Sequence, residues 1–381
     1  MSIANQPTGR DARGMGILTE SKFQASSRDR RIDFWRGLCL IDMVLVHLYY
    51  ENVQMGQLGK FLGEYTRFAA GGFVFVAGMA IGAIFLPKAR RPEQRGETYR
   101  RLWLRSLRIL GWQFVVATAW VDLMVWRGTH QPVSGMGQLL RDVLLFREGG
   151  DLLPLYVLLI AIAPLLLEIR RRTLGWLALA GGSITVFVFG RYHIYVLPQG
   201  NFPPLLWQLV FISGLLCGSV LKRYDALSFR TKLSMSIVFW LAFAVLFWCE
   251  YWSVFGLPAF PIRPVFSKVP LSPAEFLRYL TMTLGLVTGT DLIWSWLGGT
   301  NFVAFTATLG RSALPVYVAH TFLIEFSGWL ATAWWGIGAW QILFVPVCLV
   351  LLWLLALALQ WHGRRPPPGQ DWPMSAASRA T

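Results

Sequence analysis

Long apolar runs alternate with short, cation-rich polar connections along almost the whole chain. A helix rises about 1.5 Å per residue, so roughly 20 apolar residues cross the hydrocarbon of a bilayer with the backbone hydrogen-bonded inside the segment. About ten stretches suit this, approximately Phe34 to Tyr50, Phe68 to Leu86, Leu102 to Trp126, Leu152 to Leu167, Leu174 to Phe189, Pro204 to Leu221, Leu233 to Trp252, Phe276 to Leu297, Ser312 to Trp334 and Ile337 to Trp361. The pattern predicts an all-α, polytopic integral membrane helix bundle of about 10 transmembrane helices. Residues 1–30 and 363–381 read as disordered tails, the second carrying Pro366 to Pro368, and residues 31–362 as one membrane domain.

The cations divide the connections into two sides. Arg10, Arg13, Lys22, Arg28, Arg30 and Arg31 precede the first run; Lys88, Arg90, Arg91, Arg95, Arg100 and Arg101 separate the second from the third. Arg170 to Arg172, Lys222, Arg223, Arg230, Lys232, Arg364 and Arg365 complete the same side, while the other side holds only scattered cations. By the positive-inside rule the N- and C-termini are cytoplasmic. The net charge of +15 is then a topology signal, and no nucleic-acid partner is implied. With 55% hydrophobic and 14% charged residues, the composition excludes an ordinary soluble domain, which is nearer a quarter charged. Cys39, Cys217, Cys249 and Cys348 all fall inside apolar runs and read as packing residues, with no metal or redox chemistry implied. No cleavable apolar leader precedes Asp33, so the first run reads as a retained anchor.

Ionisable groups interrupt that first run, RRIDFWRGLCLIDMVLVHLYY. At about 100° per residue, with Asp33 at zero, Arg36 falls near 300° and His47 near 320°, while Asp42 sits near 180° on another face. In lipid the Asp33, Arg36 and His47 stripe must face the bundle interior or a watered cavity. Asp33 and Arg36 read either as an interfacial ion pair or as the mouth of a polar path. His47, about 21 Å beyond Asp33, reads either as packing or as a general base able to take a proton from a hydroxyl.

These residues carry a resemblance. RIDFWRG from Arg31 to Gly37 with His47 beyond it, FVFVAG from Phe73 to Gly78, DLLPLY from Asp151 to Tyr156, NFPPLLWQLVFISG from Asn201 to Gly214 and LGRSALPVYVAHTFL from Leu309 to Leu323 together resemble the OpgC family, related to the wider superfamily of membrane acyltransferases. The family is linked to succinylation of osmoregulated periplasmic glucans. The resemblance implies a multi-pass O-acyltransferase of the bacterial inner membrane. It would move an acyl group, succinyl first among them, from cytoplasmic acyl-coenzyme A to a hydroxyl of an extracytoplasmic glycan. No permanently bound cofactor is implied, since acyl-coenzyme A is the donor substrate. The chain departs from the family where Ala77 stands in place of the usual Ser and Val46 in place of an acid before the His.

Such a transfer needs a site for the anionic donor, a base, and positive charge or hydrogen-bond donors for the developing oxyanion. Arg100, Arg101, Arg105 and Arg108 are candidates for the coenzyme A phosphates, against the plainer reading of a positive-inside segment. Asp151 either caps the fourth helix or orients His47 or binds sugar, with Tyr156 one turn further in. Trp207 is an interfacial aromatic or a sugar platform, and Gln208 wants a partner. His320 is a second intramembrane histidine, structural or catalytic, downstream of a Pro315 expected to bend its helix. Asp291 has no visible partner. Gly71 with Gly72, and Gly181 with Gly182, suggest close helix contacts. The rival from another class is a transporter or flippase using the same charges. Reporter fusions after Trp126 are expected outside and fusions after Arg172 inside; the reverse pattern refutes the assignment of sides.

Overall fold

The computed structural model describes residues 29–50, 68–126, 152–192, 202–251, 266, 270–330 and 340–362. Helix α1, Arg30–Leu45, runs on into a wider π-type turn at Val46–Tyr50. Helix α2, Ala69–Ala89, contains a second such turn at Ile81–Phe85. They are followed by α3 (Pro92–Trp126), α4 (Leu152–Arg170), α5 (Gly175–Tyr192), α6 (Pro204–Asp225) and α7 (Phe229–Tyr251). The last group is α8 (Pro273–Leu292), the one-turn α9 (Trp294–Leu297), α10 (Asn301–Arg311), α11 (Ala313–Leu330) and α12 (Trp340–His362).

The fold is all-helical among these residues. Among the described residues five helices are long and apolar enough to cross a membrane, and α10 with α11 makes a sixth if that bent pair is one span. The chain is a membrane protein. The other predicted runs also fold as helices, but they are shorter or less apolar than a clear span.

Helix association in lipid has no hydrophobic drive of its own, so close backbone approach carries the packing. Between α2 and α6 it is reciprocal. A Cβ on Gly78 or Gly82 would stand 2.0 or 2.1 Å from the carbonyl oxygens of Phe211 and Leu215. One on Gly214 or Gly218 would stand 2.0 Å from those of Phe75 and Met79. The two helices therefore run parallel, interlocked by two small-xxx-small steps. Gly71 does face a neighbour, the ring of Tyr279. Gly181 and Gly182 do not: among the described residues nothing lies within 4 Å of a Cβ at either, which corrects the expectation of a contact there.

Three further expectations are revised. The 35 residues of α3 span about 52 Å, more than a bilayer core, so its basic first turns project beyond the apolar layer. The eighth run stops at Leu292, not Leu297. The ninth starts close to where it was placed, but an unforeseen helix, α10, precedes it and meets α11 at 91° across Ser312. Pro315 explains the place of the break. In a continuous helix its missing N–H would have bonded the carbonyl of Arg311, so the helix restarts with the proline in its first turn.

Charged side chains gather at one end of the bundle. Arg31 pairs with Asp29 at 2.9 Å, Asp225 at 2.7 Å and Asp291 at 2.6 Å, and Lys232 reaches Asp291 at 3.0 Å. Asp291 is therefore a tie between α1, α7 and α8 rather than a group without a partner. Packing predicts opposite outcomes for two glycines. Gly214→Val should lower the melting temperature in detergent by the equivalent of about 1–3 kcal/mol or more through overpacking. Gly181→Ala, entering open space within a helix, should be neutral or stabilise by about 0.5–1 kcal/mol.

Candidate functional site

Arg36, from the polar stripe of α1, faces a cleft between α1, α2, α3, α4 and α11. Its walls are Arg36, Phe73, Ala77, Arg105, Ile109, Leu152, Leu153, Tyr156, Ala313, Leu314 and Tyr317, around some 470 Å³ of space partly open to the surroundings. The walls are otherwise apolar, so the two guanidinium groups and two phenols supply the polarity. The hydroxyl of Tyr156 is buried with no hydrogen-bond partner among the described residues. Such a group costs about 1–3 kcal/mol, and a ligand in the cleft would relieve that cost.

An aromatic series leads from the cleft to the histidines. Phe73 meets Tyr156 edge-on at 5.5 Å between centroids and stacks on Tyr317 at 6.3 Å. The ring of Tyr317 lies 5.0 Å from that of His320, which lies 5.7 Å from that of His47. The two intramembrane histidines, 273 positions apart in sequence, thus form a pair. His47 sits in the π-type turn that continues α1, a device frequent at functional sites. His320 is buried, and its Nδ1 contacts the backbone carbonyl of Tyr317, one turn earlier. A carbonyl only accepts, so Nδ1 carries the hydrogen there, and in the neutral form of the ring the lone pair lies at Nε2.

Asp33 is 1% exposed and lies between two arginines, Arg36 at 4.0 Å and Arg311 at 3.5 Å. Contact between α1 and α10 creates this arrangement: a Cβ on Gly37 would stand 1.8 Å from the Thr306 carbonyl oxygen, and one on Gly310 1.8 Å from that of Asp33. Asp42, on the other face, is buried and takes the backbone N–H of Ala69 at the start of α2.

The four arginines of α3 separate. Arg105 and Arg108 are both exposed, and of the two only Arg105 lines the cleft. Arg100 and Arg101 are 70% and 61% exposed and both bind Glu97, at 3.0 and 2.7 Å. The hydrogen bond from Arg101, and then the charge of Arg100, hold the Glu97 carboxyl below its ordinary range. The helical period gives the reason: Leu102, Ser106, Ile109 and Gln113 form the buried face of α3, and Arg105 alone borders it.

Trp207 and Gln208 do not line the cleft. Trp207 is fully buried against Phe202 at 4.8 Å and Tyr279 at 5.8 Å. The Gln208 amide finds its partner on α5, accepting from the Ser183 hydroxyl at 2.7 Å and donating to the Ser183 carbonyl at 2.8 Å. Asp151 lies outside the described residues. Sequence reasoning overlooked Tyr317 and Arg311; the three-residue spacing of Tyr317 from His320 was the available signal for the first.

The fold and cleft define a polytopic membrane protein with a cleft bordered by two arginines and, beyond Tyr317, a pair of histidines. The sequence model of the OpgC protein matches residues 28–364, and the chain belongs to the OpgC family. No curated protein matches it. Membership is consistent with a glucan-modifying acyltransferase and suggests a transferase role. Asp33→Asn, which leaves Arg36 and Arg311 facing a neutral amide, should destabilise the detergent-purified protein. At these loose distances the loss should lie at or below the low end of roughly 3–5 kcal/mol, read as an earlier thermal melt.

Proposed function

We propose that this protein is an O-acyltransferase of the bacterial inner membrane, with ten spans and both termini in the cytoplasm. It takes an acyl group, succinyl first among the candidates, from cytoplasmic acyl-coenzyme A and gives it to a hydroxyl of an extracytoplasmic glycan such as a periplasmic glucan. The observation that carries this reading is the His47 and His320 pair, joined through Tyr317 to a cleft lined by Arg36 and Arg105. One end of such a site attracts an anionic thioester and the other handles a proton.

His47 takes the proton of the sugar hydroxyl as its oxygen attacks the thioester carbonyl. The oxyanion of the tetrahedral intermediate is stabilised by the cationic and phenolic donors of the cleft. Collapse breaks the carbon–sulfur bond, leaving the ester on the glycan, and the proton held by the imidazole goes to the departing thiolate. His320, fixed by the Tyr317 carbonyl, positions the His47 ring. Arg36 and Arg105 are the donor-facing cations; Arg100, Arg101 and Arg108 act before the cleft, where a nucleotide first meets the protein. The broken α10 and α11 pair is the feature a transporter would share, and solute movement without ester formation would favour that reading.

Purified protein, succinyl-coenzyme A and a periplasmic glucan form the test. His47→Ala should cut transfer by about 10² to 10⁴-fold while leaving donor binding intact. Arg105→Ala should weaken donor binding, and Arg100→Ala, whose side chain is already engaged by Glu97, should weaken it less. Full transfer by a folded His47→Ala protein would sink the base assignment.

A further inference from the structure

Two clusters of cations stand at the charged end of the bundle, and the protein treats them oppositely. Around Arg31 and Lys232, Asp29, Asp225 and Asp291 all close to within 3.0 Å. Around Arg170 no carboxylate does so among the described residues. Arg170 is the last residue of α4, Arg90 follows the last residue of α2, and Arg223 lies in the last turn of α6. Arg90 and Arg223 are close enough to Arg170 for their charges to act on it.

The packing explains why they meet. Because α2 and α6 run parallel with Gly82 set against Leu215, Arg90 and Arg223 each stand eight residues, about 12 Å, further along at matching levels. Arg170 is drawn across from α4 by Ser219, whose hydroxyl accepts from Nε at 3.1 Å and Nη2 at 3.0 Å. Ser219 lies one turn before Arg223 on the same face of α6. The nearest acid in sequence, Glu168, is engaged elsewhere, by Arg171 and by the Tyr99 hydroxyl. Arg90 and Arg223 are exposed and Arg170 is half-buried, so the cluster is open to a ligand.

A cation at each helix C-terminus satisfies the macrodipole, and cations in the connections satisfy the positive-inside rule. Neither requires three guanidinium groups from three helices to converge against their mutual repulsion. We propose that Arg90, Arg170 and Arg223 form a binding site for a phosphate-bearing anion at the charged end of the bundle. The planar guanidinium fork matches phosphate oxygens, and three such groups suit a ligand with several of them. None of the three lines the cleft, so the site is distinct from the cleft itself. The phosphate arrives either on the headgroup of an anionic lipid or on a soluble molecule.

The test uses the full chain in neutral detergent, comparing wild type with R90Q/R223Q and R90Q/R170Q/R223Q. Melting temperature is measured with inorganic pyrophosphate and, separately, with phosphatidylglycerol against phosphatidylcholine in mixed micelles. Wild type should melt several degrees higher with at least one of the two anions, less so at high salt, and both variants should lose most of that rise. A rise with pyrophosphate alone assigns a soluble ligand, and one with phosphatidylglycerol alone a lipid headgroup. In neutral detergent without anion, R90Q/R223Q should melt no lower than wild type, because a repulsion has been removed; it carries the test if the triple variant does not fold. No rise with either anion, or an equal rise in R90Q/R223Q, overturns the proposal.

Discussion

The backbone contact between α1 and α10 is the interaction on which the site depends. Two glycines on different helices, Gly37 and Gly310, bring main chain against main chain where any side chain would collide with a carbonyl. In a lipid-surrounded bundle such proximity replaces the hydrophobic drive that holds soluble helices together. It places Arg311 beside Asp33, fixing where α10 ends, and the Pro315 constraint then redirects the chain through 91°. Only that turn sends α11 along the path that sets Tyr317 at the cleft and His320 against His47.

Charge compensation is the second organising demand, since a charge in a medium of low dielectric is costly unless paired within the protein. Asp225 and Asp291 answer Arg31 and Lys232, tying four helices at one end. Elsewhere, the Arg278 guanidinium, 1% exposed, sits between Glu275 at 2.6 Å on its own helix and Glu250 at 3.2 Å on α7. Removing either partner of such a buried pair typically costs about 3–5 kcal/mol, so this group locks α7 to α8. Arg36 and Arg105 differ from Arg278 in position: they border open space and can meet a ligand as well as a neighbour.

The helical class, the positions of the apolar runs and the inward turn of the Asp33 and Arg36 stripe were legible in the sequence. Each follows from local physics: hydrocarbon demands long apolar helices, and an ionisable group within one demands a polar interior. Arg105 was legible only as one of four arginines, because the period of α3 sets it apart from the other three only once the buried face is known. Trp207 and Gln208 show the opposite case. Their residue types are compatible with sugar binding or packing, and the contacts from Ser183 and Tyr279, distant in sequence, supply the packing environment.

By itself, then, the sequence determined the solvent this chain folds in, the helices it forms and the residues that sit uneasily among apolar neighbours. Tertiary structure alone decided which of those residues meet. Hydropathy and period depend on neighbours within a few turns, whereas the pairing of His47 with His320, of Asp33 with Arg311 and of Arg31 with Asp291 depends on crossing points set by glycine contacts and a proline-directed break hundreds of positions away. No one-dimensional pattern carries those crossings, because a helix presents the same face whichever neighbour comes to occupy it.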